Sequence, residues 1–259
     1  MNVQQYLQKK MELTKTSTDT VAPTQRCLSC FRSSKACLCH AVQSFDTKTK
    51  FIILMHPKEA KKERTGTGRL THLSLKNSRI VIGENFDQHE EIQQILADQN
   101  LNCFLLYPGS SSQNLDIGAP MQMQNAEAQK KINVIFVIDG TWSCAKSMMR
   151  DSLTLHGLPR VSFNSDKKSN FAIKQQPNSY CLSSIESIFY VLDALNRFKI
   201  EDIKNSEHKN LLILLDKMCE FQVACTQLPD SRRYRPGNYK RSHEKRVSKK
   251  WVKRKVYFE

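Results

Sequence analysis

Five-residue apolar runs recur along the chain, at Phe51–Met55, Cys103–Tyr107, Val134–Ile138 and Leu211–Leu215. Short apolar runs without alternation, bounded by polar or turn-forming residues, read as strands buried on both faces. On that pattern strands are predicted at Lys50–His56, Arg79–Ile82, Asn102–Tyr107, Asn133–Ile138 and Arg160–Phe163. Between them the period changes to 3.6, which predicts helices at Gln88–Gln99, Thr141–Ser152, Ser183–Phe198 and His208–Gln227. In the last of these, Leu211, Leu212, Leu215, Met218, Cys219, Gln222 and Val223 share one face. Strands alternating with helices predict an α/β fold, a mostly parallel sheet with helices on both faces. Residues 109–130 and 164–182 read as long loops, and loops of that length in a compact domain usually carry function. No internal repeat is visible.

Composition narrows the class. The chain has 259 residues, of which 39% are hydrophobic and 25% charged, as expected of a soluble globular protein. A membrane-spanning helix needs about 20 apolar residues in succession, far more than any run here. The first twenty residues, MNVQQYLQKKMELTKTSTDT, contain no apolar core of a signal peptide, so a cytoplasmic location is expected. The formal net charge is +15, unevenly spread: residues 230–259 hold 12 Lys and Arg against 3 Asp and Glu. A modestly positive body with a strongly basic tail points to a polyanionic partner. The expected organisation is therefore a polar extension over 1–24, a cysteine-rich element over 25–44, an α/β domain over 45–229 and a basic tail over 230–259.

Nine cysteines in a cytoplasmic chain point to metal binding or catalysis rather than disulfides. Cys27, Cys30, Cys37 and Cys39 form a C-x2-C-x6-C-x-C pattern, and four thiolates within 13 residues suit a structural tetrahedral zinc, with His40 as the alternative to Cys39 and an iron–sulfur cluster as the less favoured occupant. Further along, a strand ends at His56-Pro57 and a basic loop is expected after it, with Gly66, Gly68, Arg64 and Arg69. Glycines there permit close backbone approach to a ligand, and arginines suit phosphate or carboxylate. A second strand ends in Tyr107-Pro108-Gly109. A third runs into Asp139-Gly140-Thr141-Trp142, where Asp139 is either a helix cap or a functional carboxylate. The stretch Cys181–Glu186 enters a helix, with Ser183 or Ser184 as cap and Glu186 reaching back. In an open parallel sheet, ligands bind outside the carboxyl ends of the strands, and these segments all deliver polar residues there.

These residues, in this order, resemble the DTW-domain proteins, whose motif stands here as Asp139-Gly140-Thr141-Trp142. The resemblance runs over roughly residues 25–228. It takes in the cysteine pairs, His56-Pro57-x-Glu59, Thr67-Gly68-Arg69, Leu106-Tyr107-Pro108, Gln176-Pro177 and Leu182-Ser183-Ser184-x-Glu186. The chain departs from the family at Gly66, where asparagine is usual, at Lys174, where arginine is common, and at Ser184, where threonine is common.

The resemblance implies a SPOUT-related, knotted α/β fold. It also implies transfer of the 3-amino-3-carboxypropyl group of S-adenosylmethionine to N3 of a uridine in tRNA, commonly position 47 of the variable loop. Leu106, Tyr107, Pro108, Asp139, Gly140, Thr141, Trp142, Leu182, Ser183, Ser184 and Glu186 are then the expected cofactor-binding residues. Asp139 is the expected catalytic base, with a role in binding the cofactor's amino group as the alternative. Trp142 packs beside the cofactor or base, or lies in the core. Arg64, Arg69 and Lys174 face the cofactor carboxylate or RNA. In the tail, Arg232, Arg233, Arg235 and Trp251 are expected RNA contacts, since basic residues neutralise phosphates and aromatic rings stack on unpaired bases. Two other readings share these features: a SPOUT-type RNA methyltransferase, and a zinc-containing RNA-binding protein without catalysis. The sequence does not set the oligomeric state.

Overall fold

The computed structural model describes residues 26–62, 66–164, 168–171, 173 and 181–227. The chain divides into two compact units, meeting in sequence at Cys37 and Leu38. In the first, an antiparallel bridge joins Arg26 to Ser33. Phe31, at φ 59°, turns the chain so that its N–H bonds Cys27 O at 2.9 Å.

The second unit is built on a six-stranded sheet. Its strands are β1 (Lys50–Met55), β2 (Ser78–Ile82), β3 (Leu101–Leu106), β4 (Gln113–Asn114), β5 (Ile132–Asp139) and β6 (Arg160–Ser162), in the order β2-β1-β5-β3-β6-β4. Every pairing is parallel. The five expected strands are present within a residue or two of their expected ends. The central ones are apolar along most of their length because both faces are covered: Phe51–Met55 in β1 and, after the buried amide of Asn133, Val134–Val137 in β5 are buried without a break.

The helices are α1 (Pro57–Lys62), α2 (Gly68–Ser74), α3 (Glu90–Ala97), α4 (Met121–Gln124), α5 (Trp142–Asp151), α6 (Leu153–His156), α7 (Ser184–Arg197) and α8 (Asn210–Gln227). On one face of the sheet Ile52, Leu54, Leu105, Val134 and Phe136 pack with Ile92 of α3 and with Met148, Met149 and Leu155 from α5 and α6. On the other, α7 packs on β5, and α2, α7 and α8 pack on one another.

Three expectations change. The stretch expected as a basic loop after Pro57 is mostly the two short helices α1 and α2. Proline is favoured at a first helical position, where its missing N–H costs nothing, and Lys-Glu-Ala-Lys-Lys are strong helix formers. Residues 109–130 are not a plain loop either: β4 and α4 interrupt it, anchored by buried Leu115 and Met123. In α8 the buried stripe is Leu211, Leu214, Leu215, Met218 and Cys219, whereas Leu212 is half-buried and Val223 exposed. Positions i, i+3, i+4, i+7 and i+8 form one face, and it thins out by Gln222.

Candidate functional site

The parallel register aligns three strand ends on one edge. Met55 of β1 lies opposite Asp139 of β5, and Leu106 of β3 lies opposite Val137. His56 donates its backbone N–H to Asp139 O at 2.9 Å, extending the β1–β5 ladder one residue past Met55.

Asp139 is the last residue of a buried strand and is only 4% exposed. It is not the cap of the following helix. Thr141 takes that role, its Oγ1 accepting from Cys144 N at 3.3 Å. The carboxylate is thus left for other partners: Oδ1 accepts from Ser184 Oγ at 2.5 Å, joining β5 to the first turn of α7. On another side the backbone of Gly68, first residue of α2, lies against the same carboxylate. Arg69 follows; its Nη2 donates to Ala60 O at 3.4 Å. Burial lowers the basicity of its guanidinium, and the charge of Asp139 opposes that effect.

The start of α7 is pinned by Glu186, a carboxylate 2% exposed. It accepts from Ser183 N at 2.8 Å and from Asn170 N at 2.7 Å, and from the Ser169 hydroxyl at 2.9 Å. The expected reach of Glu186 back to a capping serine is present, with Ser183 as the cap. Its carboxylate is engaged by the protein's own donors, which anchor the first turn of α7. Leu106, Tyr107 and Pro108 leave β3 half-buried, with the Arg160 guanidinium 5.7 Å over the Tyr107 ring. Burial raises the pKa of the Tyr107 hydroxyl, against the pull of Arg160. Trp142, first residue of α5, is half-buried rather than a core residue.

His56 carries no functional assignment from the sequence, though the motif His56-Pro57-x-Glu59 is visible there. It is 3% exposed, and its Nδ1 accepts from Lys58 N at 3.1 Å. That bond puts the ring proton on Nε2, which lies 3.3 Å from the Glu84 carboxylate. Glu84, in the turn after β2, had no sequence signal. Arg64, Lys174, Arg232, Arg233, Arg235 and Trp251 lie outside the described residues, as do Gln176 and Pro177. At the N-terminal end, the Sγ atoms of Cys27, Cys30, Cys37 and Cys39 all lie within 4.8 Å of one another, a set that could hold a metal ion.

Residues 24–223, most of the chain, match the DTW domain. The chain belongs to the DTW-domain family. Similar proteins carry the name tRNA-uridine aminocarboxypropyltransferase 2. One from Macaca fascicularis is 26% identical over 212 residues, 78% of this chain and 66% of that protein. The Mus musculus protein is 28% identical over 204 residues, 76% of this chain and 63% of its own length. The Drosophila melanogaster protein is 26% identical over 220 residues, 82% and 81% of the two chains. This DTW-domain chain therefore spans just under two thirds of the length of the two mammalian relatives. No solved structure matches it significantly. Among the described residues, no helix is long and apolar enough to cross a membrane.

Proposed function

We propose that this DTW-domain protein transfers the 3-amino-3-carboxypropyl group of S-adenosylmethionine to N3 of a uridine in tRNA, with methylthioadenosine leaving. Family membership and the names of its relatives supply the reaction class. The observation that carries the reading to particular atoms is the Asp139 carboxylate: buried at a strand end, released from capping by Thr141 and held by Ser184. A carboxylate beside hydroxyls, with half-buried Leu106, Tyr107 and Pro108 ending the neighbouring strand, suits a ligand cationic at its sulfonium and amino groups and aromatic at its base.

When bound, S-adenosylmethionine supplies a methylene carbon already activated by the sulfonium. Asp139 accepts the N3 proton as the N3–C bond forms and the C–S bond breaks. The chain's larger task is positioning, presenting the amino-acid arm rather than the methyl to the nucleophile. Gly140–Trp142, Leu106–Pro108 and Leu182–Ser184 take the cofactor in this reading. Arg69 faces its carboxylate or a phosphate, and Arg64 and Lys174 share that assignment by charge. Arg232, Arg233, Arg235 and Trp251 hold RNA. The uridine is the variable-loop position 47 implied by the family resemblance, and the cytoplasm is the expected compartment.

Zinc is the proposed occupant of the cysteine cluster. Cys30 Sγ and Cys37 Sγ stand 3.8 Å apart, the edge of a tetrahedron with metal–sulfur bonds of about 2.3 Å. Cys27, Cys30, Cys37 and Cys39 would supply four thiolates there, which fold a short segment rather than take part in transfer.

The test is nucleoside mass spectrometry of unmodified tRNA incubated with the protein and S-adenosylmethionine, with Asp139→Asn alongside. Aminocarboxypropyl-uridine from the wild type and none from the variant is the expected result. A methylated base would make the protein a methyltransferase, and bound but unchanged tRNA would make it an RNA-binding protein.

A further inference from the structure

The glycines of the segment after β1 were expected to let a ligand approach the backbone. The structure assigns Gly68 a different neighbour. A Cβ built on Gly68 would stand 2.6 Å from Asp139 Cγ and 3.0 Å from Oδ1, with Oδ2 nearer still. Ordinary carbon contacts need at least about 3.5 Å, so any side chain here collides with the carboxylate. Gly68 is not at a positive φ; backbone conformation does not demand glycine, and the demand is for space. The carboxylate cannot yield freely, because it is 4% exposed and its Oδ1 is held by Ser184. Gly68 and Ser184 come from different segments, and they meet at Asp139 only in the folded sheet.

We propose that Gly68 and Ser184 are positioning residues for the Asp139 carboxylate. Gly68 sets how far it can swing toward α2, and Ser184 sets which way it faces. The inference rests on the proposed transferase reading and deepens it. Alanine at 68 forces the carboxylate about 1 Å out of place, and a displacement of that size at a reacting group costs on the order of 100-fold in rate. Removing the Ser184 hydroxyl takes one hydrogen bond from a charged group, worth roughly tenfold. Threonine keeps the hydroxyl at Ser184.

Steady-state kinetics on the full-length chain test this with Gly68→Ala, Ser184→Ala, Ser184→Thr and, as control, Gly118→Ala, where an added Cβ meets nothing within 4 Å. The expected result is kcat down about 100-fold for Gly68→Ala, with its KM for S-adenosylmethionine little changed, and kcat down about tenfold for Ser184→Ala. Ser184→Thr recovers the rate, and thermal melting shows each variant folded. A rise in KM alone for Gly68→Ala would return the glycine to ligand approach and overturn the proposal. If the wild type makes no product, the transferase reading fails, and a carboxyl 13C titration then tests the positioning by itself. The Asp139 resonance, assigned against Asp139→Asn, should shift in Gly68→Ala. In Ser184→Ala it should titrate at higher pH, since the lost hydroxyl stabilised the ionised form. Resonances unmoved in both variants would reject the positioning role.

Discussion

At Asp139 and Thr141, two residues apart, either side chain could cap the helix that follows. The backbone decides: helix α5 begins at Trp142, so Thr141 is the residue just outside it and takes the free N–H of Cys144. Replacing Thr141 with alanine should lower stability by about 1 kcal/mol, read from urea unfolding. Glu186 presents the opposite situation, a buried carboxylate that accepts bonds from Ser169, Asn170 and Ser183. Glu186→Gln turns an amide toward donors that need an acceptor, and about 1–3 kcal/mol should be lost in the same experiment. His208, 2% exposed, stacks on Phe189 at 5.3 Å, with Asp193 Oδ1 3.5 Å from its Nε2. Burial depresses its basicity, aided by Lys209 and opposed by Asp193. The unfolded chain therefore binds this proton more readily than the folded one. The stability tied to neutral His208 is complete above about pH 6.5 and is lost as pH falls toward the lower folded-state value. Melting temperature measured between about pH 7.5 and 5.5 should fall, and less steeply in His208→Gln; equal slopes would assign the effect elsewhere.

The elements divide by how local their cause is. β1, β3 and β5 are legible because a continuous apolar run of strand length has few other structures to join. Phe136, fully buried at the centre of β5, tests that reasoning: Phe136→Ala should cost about 3–5 kcal/mol in urea unfolding. That is a large share of the stability of an ordinary domain. The two-residue strand β4 carries no such run. It exists because β6 offers a parallel edge to which Gln113 and Asn114 pair, which no local pattern announces. Helices α1 and α2 were hidden by charge and glycine. Lys58, Lys61 and Lys62 read as a solvated loop until Pro57 is recognised as a helix start. Gly68 reads as a loop glycine that lets a ligand approach the backbone, although it opens a helix whose buried side holds Leu70, Thr71 and Ser74.

At the scale of the whole chain, the cysteine cluster precedes the α/β domain in sequence and the basic segment follows it. If Cys27, Cys30, Cys37 and Cys39 hold zinc, metal analysis of the purified chain should find about one zinc per molecule. A chelator should lower the melting temperature, because metal binding to such a segment is its folding energy. Metal-free protein with an unchanged melting curve would contradict this. The tail lies outside the described residues, and its prediction rests on charge. Removing residues 230–259 deletes 12 basic side chains. Binding to tRNA should weaken and lose much of its salt dependence, with the choice of uridine unaltered.

By itself the sequence determined the α/β class, the main strands and helices, the four-cysteine pattern and the family to which the chain belongs. Each of these rests on neighbours along the chain, on periodicity or on short ordered motifs. Only the tertiary structure decided that Asp139 is held by Ser184 rather than spent on a cap, that Gly68 is bare for the sake of that carboxylate, and that Glu84 stands beside His56. Those contacts join residues 45, 71 and 28 positions apart. They arise because a parallel sheet gathers the ends of separate strands on one edge, and chain separation leaves no local pattern by which such partners could be read.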